Sequence, residues 1–272
     1  TSVMRRVDPE QAALYDRYAA ECVHDIFAYH HKPEMKCTLE SVGVNGEFQG
    51  DFTAGRVVNP GHDIECSWFL MEEANRTGDA ALHKKAEDVF NFAIEAGWDK
   101  EYGGTFWMLT SDGIPSEVEK RTYGEAFIIY SMAEYYNAFH EPEALEMAMK
   151  TFRLVQDHVH YANGGYADSA SRDWQMDNWL FKWMMNGDGA AKLLNSHLHL
   201  FEATMTLYDV TRDEYVKGVL REFLLFLLDV CVEPDRHHLK AGMDKDGNRI
   251  DGEVNFGHDS ECCYLMTWAA RL

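Results

Sequence analysis

The feature that most constrains this fold is a recurring order of two helical stretches followed by a short segment rich in Gly, Asp and Asn. In each helical stretch apolar residues recur every three or four positions, which is the spacing of a buried helix face. The short segments carry Asn-Gly or Asp-Gly turn signals beside β-prone runs. We predict about eight helices, at residues 9–30, 62–76, 80–96, 123–139, 142–160, 193–207, 214–232 and 257–272.

Stacked helix pairs with extended loops at their ends are typical of an α/α toroid, whose loops are the usual place for a ligand. We therefore predict an all-α fold, an α/α toroid resembling an (α/α)6 barrel, with short β-hairpin loops on one rim. About eight helices would leave that toroid incomplete. No linker divides the chain, so a single domain over residues 1–272 is expected, with hairpin segments at 39–50, 102–117, 164–174 and 238–252.

The balance of charge narrows the range of partners. With 46 acidic and 25 basic residues the formal net charge is −21, which repels phosphate backbones and anionic membranes. We therefore expect neither nucleic acid nor membrane as a partner. The start of the sequence lacks the apolar run of a signal peptide, and six cysteines without a C-x-x-C pair favour reduced thiols. These features predict a cytoplasmic protein.

A ten-residue motif occurs twice, as Asn59–Trp68 and as Asn255–Tyr264. Each copy follows a predicted hairpin and opens a helix, with a possible N-cap in its Gly-His-Asp run. The spacing places His62 beside Glu65, and His258 beside Glu261, on one helix face. An imidazole and a carboxylate at a helix end that faces the loops suit proton transfer. The alternative for each histidine is a solvent-exposed or internally satisfied side chain.

A polar stripe runs along an otherwise apolar helix. Asn195, His199 and Glu202 lie at positions i, i+4 and i+7, on one face, and buried polar groups need partners, water or a ligand. A satisfied core network is the alternative. His197 faces away from His199, and no histidine pair has the spacing of a zinc-protease helix, so no metal is expected. Nucleotide-binding and serine-hydrolase motifs are also absent from the sequence.

Aromatic residues gather near the loops, where their faces could stack on a sugar ring, although aromatic residues at helix ends are more often core. They are Trp68, Trp98, Trp107, Tyr123, Tyr166, Trp174, Trp179 and Trp183.

Four motifs together resemble the N-acylglucosamine 2-epimerase and cellobiose 2-epimerase family. They are the two G-H-D-x-E runs, a K-x-x-Y-G-x-A-F segment at 120–127, an N-x-H-x-H-L-x-E-A helix at 195–203, and G-G-Y followed by R-D-W at 164–174. The matches spread over most of residues 39–272. Residues 1–119 resemble the middle of an N-acylglucosamine 2-epimerase, and residues 120–272 resemble the repeats of a cellobiose 2-epimerase.

The resemblance implies a sugar isomerase that uses neither a metal nor a redox cofactor. In the family the sugar ring opens, a histidine removes the C2 proton, and a second histidine returns it to the other face of a cis-enediolate. Carried over by motif, His258 is an acid/base with Glu261 beside it. The open sugar is held by Tyr123, Asn195 and His199, with His199 assisting at the carbonyl or ring oxygen. Further binding candidates are Glu65, Arg56, Trp68 and Trp174.

The chain also departs from the family pattern. It has two Gly-His-Asp motifs where a member has one, and the family's W-K-x-x-x-H segment, which supplies the second histidine, has no counterpart. Either His62 replaces that histidine, or the site is incomplete and the chain is inactive or needs a second subunit in a homo-oligomer. The sequence does not choose between N-acetylglucosamine, cellobiose and mannose-type aldoses as the sugar.

Three other functions stay open from the sequence: an inactive or carbohydrate-binding remnant of the same fold, an aldose–ketose isomerase, and a glycoside hydrolase with paired carboxylates. The carboxylates available for the hydrolase are Glu65, Asp173, Glu202 and Glu261.

Overall fold

Helices dominate the computed structural model, which describes residues 2–50, 58–176, 190–250 and 254–272. Within these ranges there are nine α-helices and several two-stranded sheets, so the predicted all-α character is confirmed. All eight predicted helices are present, and a short helix at Ser2–Val7 is additional. The chain divides into two compact units, the first of Thr1–Gly97 with Met108–Ser116, the second of Trp98–Trp107 with Glu117–Leu272. The prediction of a single domain stays a prediction.

The first unit is built around a pair of long helices that pack along each other, α3 and α4, with Ile64, Leu70, Met71 and Val89 in the core. A π-helical turn at Ile26–His30 leads from α2 into an antiparallel hairpin of β1 and β2. The elements are α1 (Ser2–Val7), α2 (Ala12–Asp25), β1 (His31–Lys32), β2 (Cys37–Thr38), α3 (Pro60–Thr77), α4 (Ala80–Gly97), β3 (Met108–Leu109) and β4 (Pro115–Glu117).

Helix α3 begins at the first copy of the repeated motif. The Asn59 side chain caps it by accepting a hydrogen bond from the His62 amide at 3.2 Å, and Pro60 occupies the first turn, where no amide donor is needed. The N-cap is therefore Asn59 and not a residue of the Gly-His-Asp run. The buried Asp63 carboxylate accepts from the Thr38 amide at 3.3 Å and so ties the helix to β2.

Within the described residues, the second unit contains five helices of 13 residues or more, joined by short strands. The elements are β5 (Lys120–Arg121), α5 (Thr122–Phe139), α6 (Pro142–His158), β6 (Ser169–Ala170), β7 (Lys192–Leu193), α7 (Leu194–Thr211), α8 (Glu214–Phe226), β8 (Val232–Glu233), β9 (His238–Leu239), β10 (Gly242–Met243) and α9 (Phe256–Ala269). β8 and β9 form a local hairpin, whereas β5 pairs with β6 and β7 with β10. Of the predicted hairpin at 164–174, only Tyr166 pairs locally, through an antiparallel bridge with His160, whereas Ser169–Ala170 pairs with Lys120–Arg121.

Two layers of helices explain the burial in this unit. α5 and α7 pack against each other and are buried on most sides, with Phe127 and Leu198 among their core residues. α6 covers α5 and α8 covers α7, each with one apolar stripe that includes Phe152 or Phe223. A helix that is apolar all round belongs in an interior, so the polar residues on α5 and α7 call for an explanation.

Two general expectations can be compared with the structure. No helix in the described ranges is long and apolar enough to cross a membrane. All six cysteines lie in those ranges as free thiols.

Candidate active site

Within the polar stripe on α7, His199 packs against two aromatic residues of α5. The His199 ring lies edge-on to Tyr123, with ring centroids 5.0 Å apart, and its centroid is also 5.0 Å from that of Phe127. Its Nδ1 atom is buried and has no hydrogen-bond partner among the described residues, and the nearest Glu202 carboxylate oxygen is 3.8 Å away. A buried ring nitrogen without a partner is costly, so this atom is available to a ligand.

A carboxylate from α9 completes this cluster. One ring nitrogen of His199 and one carboxylate oxygen each of Glu202 and Glu261 all lie within 4.8 Å of one another. An imidazole between two carboxylates can accept, hold and return a proton. The same donor set also suits a divalent metal, so the expectation that no metal is used stays a prediction.

The neighbouring histidine on α7 serves the fold. His197 is fully buried, its Nδ1–H donates to the Leu193 carbonyl at 2.7 Å, and its Nε2 accepts from the Tyr166 amide at 2.9 Å. Burial lowers the pKa of His197 to about 4, so the ring is neutral. Residues two apart face different sides of a helix. His197 therefore makes structural hydrogen bonds, whereas His199 lies in the cluster with Glu202 and Glu261.

The first turns of α5 and α7 are tied together by a residue that the motifs did not reveal. Asp168 accepts from the Arg121 guanidinium at 3.4 Å and from the Ser196 hydroxyl at 2.5 Å. Arg121 in turn lies over the Trp107 ring, and Trp107 packs edge-on against Tyr123 with centroids 6.0 Å apart. Asp168 lies between the G-G-Y and R-D-W runs, and no local pattern signals its role.

Helix α9 begins at the second copy of the motif. Asn255 caps it by accepting from the His258 amide at 3.1 Å, and Asp259 accepts from the Leu239 amide of β9 at 3.0 Å. His258 is half-buried in the first turn. Glu261 follows three residues later on the same side of the helix, so His258 lies one turn from the His199 cluster.

In the first unit, His62 is held by a carboxylate outside the motif. Its Nδ1 lies 2.6 Å from a Glu40 carboxylate oxygen, and although burial opposes protonation, this hydrogen bond raises the pKa of His62. Glu65 and Trp68 are half-buried on the same helix. Arg56 lies outside the described residues, as do Trp179 and Trp183. The pairing of His62 with His258 stays a prediction.

Trp174 occupies the interior of the second unit. It is 4% exposed, its indole N–H donates to the Tyr102 carbonyl at 3.1 Å, and its ring stacks on His158 with centroids 5.4 Å apart. These contacts make it part of the packing behind the loop Trp98–Trp107. Its role in binding a sugar stays a prediction.

Comparison with known proteins identifies the family. The sequence profile described as N-acylglucosamine 2-epimerase (GlcNAc 2-epimerase) matches residues 19–121 and 99–231, which together are most of the chain. The chain belongs to the N-acylglucosamine 2-epimerase family. The first match includes the first copy of the Gly-His-Asp motif, whereas the second match ends at residue 231, before the second copy.

Among relatives of this N-acylglucosamine 2-epimerase family member, a cellobiose 2-epimerase of Ruminococcus albus is 33% identical over 200 residues, which are 73% of this chain and 51% of that protein. An N-acylglucosamine 2-epimerase of Mus musculus is 33% identical over 162 residues, covering 55% of this chain and 38% of that protein. The chain spans about half the length of the curated relatives it matches.

The solved structure of cellobiose 2-epimerase from Spirochaeta thermophila has a similar fold. It superposes with a TM-score of 0.70 at 26% identity, over 93% of this chain and 63% of that one. The predicted fold class, an all-α fold of the α/α toroid type, is thereby confirmed.

Proposed function

We propose that this family member is a sugar 2-epimerase that interconverts gluco and manno configurations at C2 of an aldose. The observation that carries the proposal is the half-buried His199 imidazole, which lies against Tyr123 and between the carboxylates of Glu202 and Glu261, and whose buried Nδ1 has no hydrogen-bond partner among the described residues. Such an array moves protons, and epimerisation consists of removing a proton and returning it to the same carbon. The balanced reaction requires neither an oxidant nor a second substrate.

The proposed steps assign roles to the site residues of the second unit, and His62 of the first unit enters as an alternative proton donor. The sugar ring opens with a proton transfer to the ring oxygen, and Tyr123, Asn195 and His199 hold the open chain. His258 then removes the C2 proton, the electron pair forms a cis-enediolate, and a proton returns to the opposite face of C2. Glu261 stabilises the positive charge on the imidazole during both transfers. The donor of the returning proton is a second histidine, for which His199 and His62 are the candidates.

The proposed substrate is a neutral aldose of the cellobiose or N-acetylglucosamine type. The formal net charge of −21 disfavours polyanionic ligands. The relatives at 33% identity are named for these two sugars. The free thiols support a reducing compartment such as the cytoplasm. Whether copies of the chain associate is a separate question, which sedimentation would test.

The test is proton NMR of the purified protein incubated in D2O with cellobiose and, separately, with N-acetylglucosamine. We expect deuterium at C2 together with the manno epimer, because the removed proton exchanges with solvent before it is replaced. The variant His258→Asn should lose the exchange, whereas the matched control His24→Asn, an exposed histidine on α2, should keep it.

Other outcomes would point to other functions. A folded protein that binds the sugar without exchanging C2 would overturn the epimerase proposal in favour of a binding remnant. A ketose product would indicate an aldose–ketose isomerase, since that reaction shares the enediolate. New reducing ends from a β-linked oligosaccharide would indicate a hydrolase that uses the close carboxylates of Glu202 and Glu261.

A further inference from the structure

A loop of the second unit, Trp98–Trp107, is anchored to the start of α5 at two points. At its beginning Asp99 receives hydrogen bonds from Lys120 of β5, two residues before that helix, and from Arg172. Near its end the Thr105 amide donates to Glu125 in the first turn of α5 at 2.8 Å. The loop ends at Trp107, which packs against Tyr123 and so reaches the proposed sugar site.

The first anchor is a fully satisfied ion cluster. Asp99 and Lys120 are both completely buried, with Lys120 Nζ 3.1 Å from the Asp99 carboxylate. Arg172 donates to the same carboxylate through Nε at 2.8 Å and through a terminal nitrogen at 3.0 Å. Although burial opposes ionisation, these bonds hold the pKa of Asp99 below its usual range. Asp99 is therefore a charged and permanent partner of two cations.

The second anchor is different because it is only half satisfied. Glu125 is completely buried, and Oε1 accepts from the Thr105 amide, but Oε2 has no hydrogen-bond partner among the described residues. A buried carboxylate with an unpartnered oxygen is cheaper to keep neutral than charged. Burial accordingly raises the pKa of Glu125 to about 7, against the attraction of Lys120.

The loop also fits its place closely. Gly104 has φ +72°, and a Cβ there would come within 2.5 Å of the Trp174 ring and 2.8 Å of Glu125 Oε1. The loop therefore touches Glu125 through its backbone and leaves no room for a side chain. A small movement of the carboxyl must be transmitted to the loop, because packed interiors leave little empty space.

We propose that Glu125 is a positioning residue of the sugar site: its buried carboxyl group holds the loop Trp98–Trp107 on α5 and thereby sets Trp107 against Tyr123. Glu125 is not one of the three residues of the cluster around His199, and in this proposal it acts through the loop. The assignment of the loop to a sugar site rests on the proposed function, whereas the anchoring itself does not.

A dependence on pH follows from the groups that face this carboxyl. They are Lys120 from β5 and Asp99 from the loop, with Arg172 behind Asp99 and His158 of α6 stacked on Trp174. When the loop opens, Glu125 is hydrated and regains its ordinary acidity, so the closed loop binds the proton more tightly than the open loop. Closure is therefore favoured at low pH, and this advantage is lost as the pH rises from the ordinary glutamate range through about 7.

The test is amide hydrogen exchange of the sugar-free protein across this pH range, corrected for the intrinsic exchange rate. In the wild type we expect the protection of loop amides to fall by roughly tenfold from pH 5.5 to 8.5. Glu125→Gln keeps the acceptor oxygen and cannot ionise, so its loop should stay protected at every pH. Glu125→Ala should lose that protection throughout. The control Glu143→Gln, an exposed position on α6, should behave as the wild type.

Activity provides the second measurement. In the C2 exchange assay Glu125→Gln should keep the wild-type kcat at low pH and lose less activity above neutral pH, because its loop stays closed. The same pH dependence of loop protection in Glu125→Gln and wild type would overturn the proposal. Absence of C2 exchange from a wild type whose loop protection is pH-dependent would count against the proposed function alone.

Discussion

The two Gly-His-Asp modules share a backbone plan that extends well beyond the ten-residue motif. In each, a π-helical turn, Ile26–His30 or Leu227–Cys231, leads into a two-stranded hairpin. An asparagine then caps a helix, and the aspartate of the motif accepts from a hairpin amide, as Asp63 and Asp259 do. The motif therefore fixes the way in which a helix is joined to the hairpin before it.

The surroundings of the two histidines differ because of a residue outside the motif. The Leu39 amide donates to the His30 carbonyl, and in the second module the Lys240 amide donates to the Cys231 carbonyl. This alignment places Ala241 where the first module has Glu40. His62 therefore has a carboxylate partner from its own hairpin, whereas the second module supplies Glu261 to a cluster on α7. The same scaffold thus carries two chemically different histidines.

The largest expected effect is on the rate of C2 exchange, which should depend on the histidine of the second module more than on that of the first. His258→Asn removes the proposed acid/base and should lower the rate of C2 exchange by at least about 100-fold, the usual contribution of general acid–base catalysis. The measurement is the deuterium NMR assay with each sugar at saturation. His62→Asn in the same assay sharpens the comparison, because an equal loss would show that both modules act on the sugar. A His258→Asn variant with wild-type rate would contradict the assignment.

The next effect concerns the Glu40 partner of His62. Glu40→Gln removes the negative charge that raises the pKa of His62 while burial lowers it, so that pKa should fall below its wild-type value. Ring-proton NMR titration measures the change, and Glu34→Gln, exposed in the turn between β1 and β2, is the control. If the pKa of His62 were the same in Glu40→Gln and in the wild type, the Glu40 carboxylate would not be the cause of the difference between His62 and His258.

The reciprocal substitution tests the alignment of the hairpins. Ala241→Glu should place a carboxylate within hydrogen-bond distance of His258, as Glu40 lies beside His62. A crystal structure of the variant would show the contact. If the introduced carboxylate were instead directed away from His258, the two hairpins would not be equivalent at this position.

A smaller effect is expected on stability. Burial raises the pKa of Asp63 well above its usual range, so the folded state binds a proton that the unfolded chain releases. The contribution of this group is present at low pH and is lost as the pH rises through the folded pKa. Asp63→Asn should remove that slope and raise the free energy of unfolding at neutral pH. Urea unfolding of the wild type and of Asp63→Asn across pH measures this change.

The smallest effect compares the two helix caps. Asn59→Ala and Asn255→Ala each remove a side-chain acceptor for an orphan amide, which costs about 0.5–2 kcal/mol. Asn59 is 1% exposed and Asn255 is exposed, so water can replace the second cap more easily than the first. Thermal unfolding of both variants should show the larger loss for Asn59→Ala. Equal losses would mean that burial of the cap does not matter here.

The sequence by itself determined the helices, the repeated motif and the family. Helix positions follow from an apolar spacing that is local, and the separation of His197 from His199 follows from helix geometry alone. The family follows from short motifs whose residues are neighbours in the chain. All of these can be read without knowing which distant segments meet.

The tertiary structure alone decided which groups share a site. Glu40 meets His62 across 22 positions and Asp99 meets Arg172 across 73, and no periodicity reports such distances. The burial of Trp174 in the interior likewise depends on what packs above its side chain, and the sequence does not report it. The closeness of Glu202 to Glu261 likewise required α7 and α9 to be in place. Local spacing fixes which face a residue occupies, and only packing fixes what that face meets.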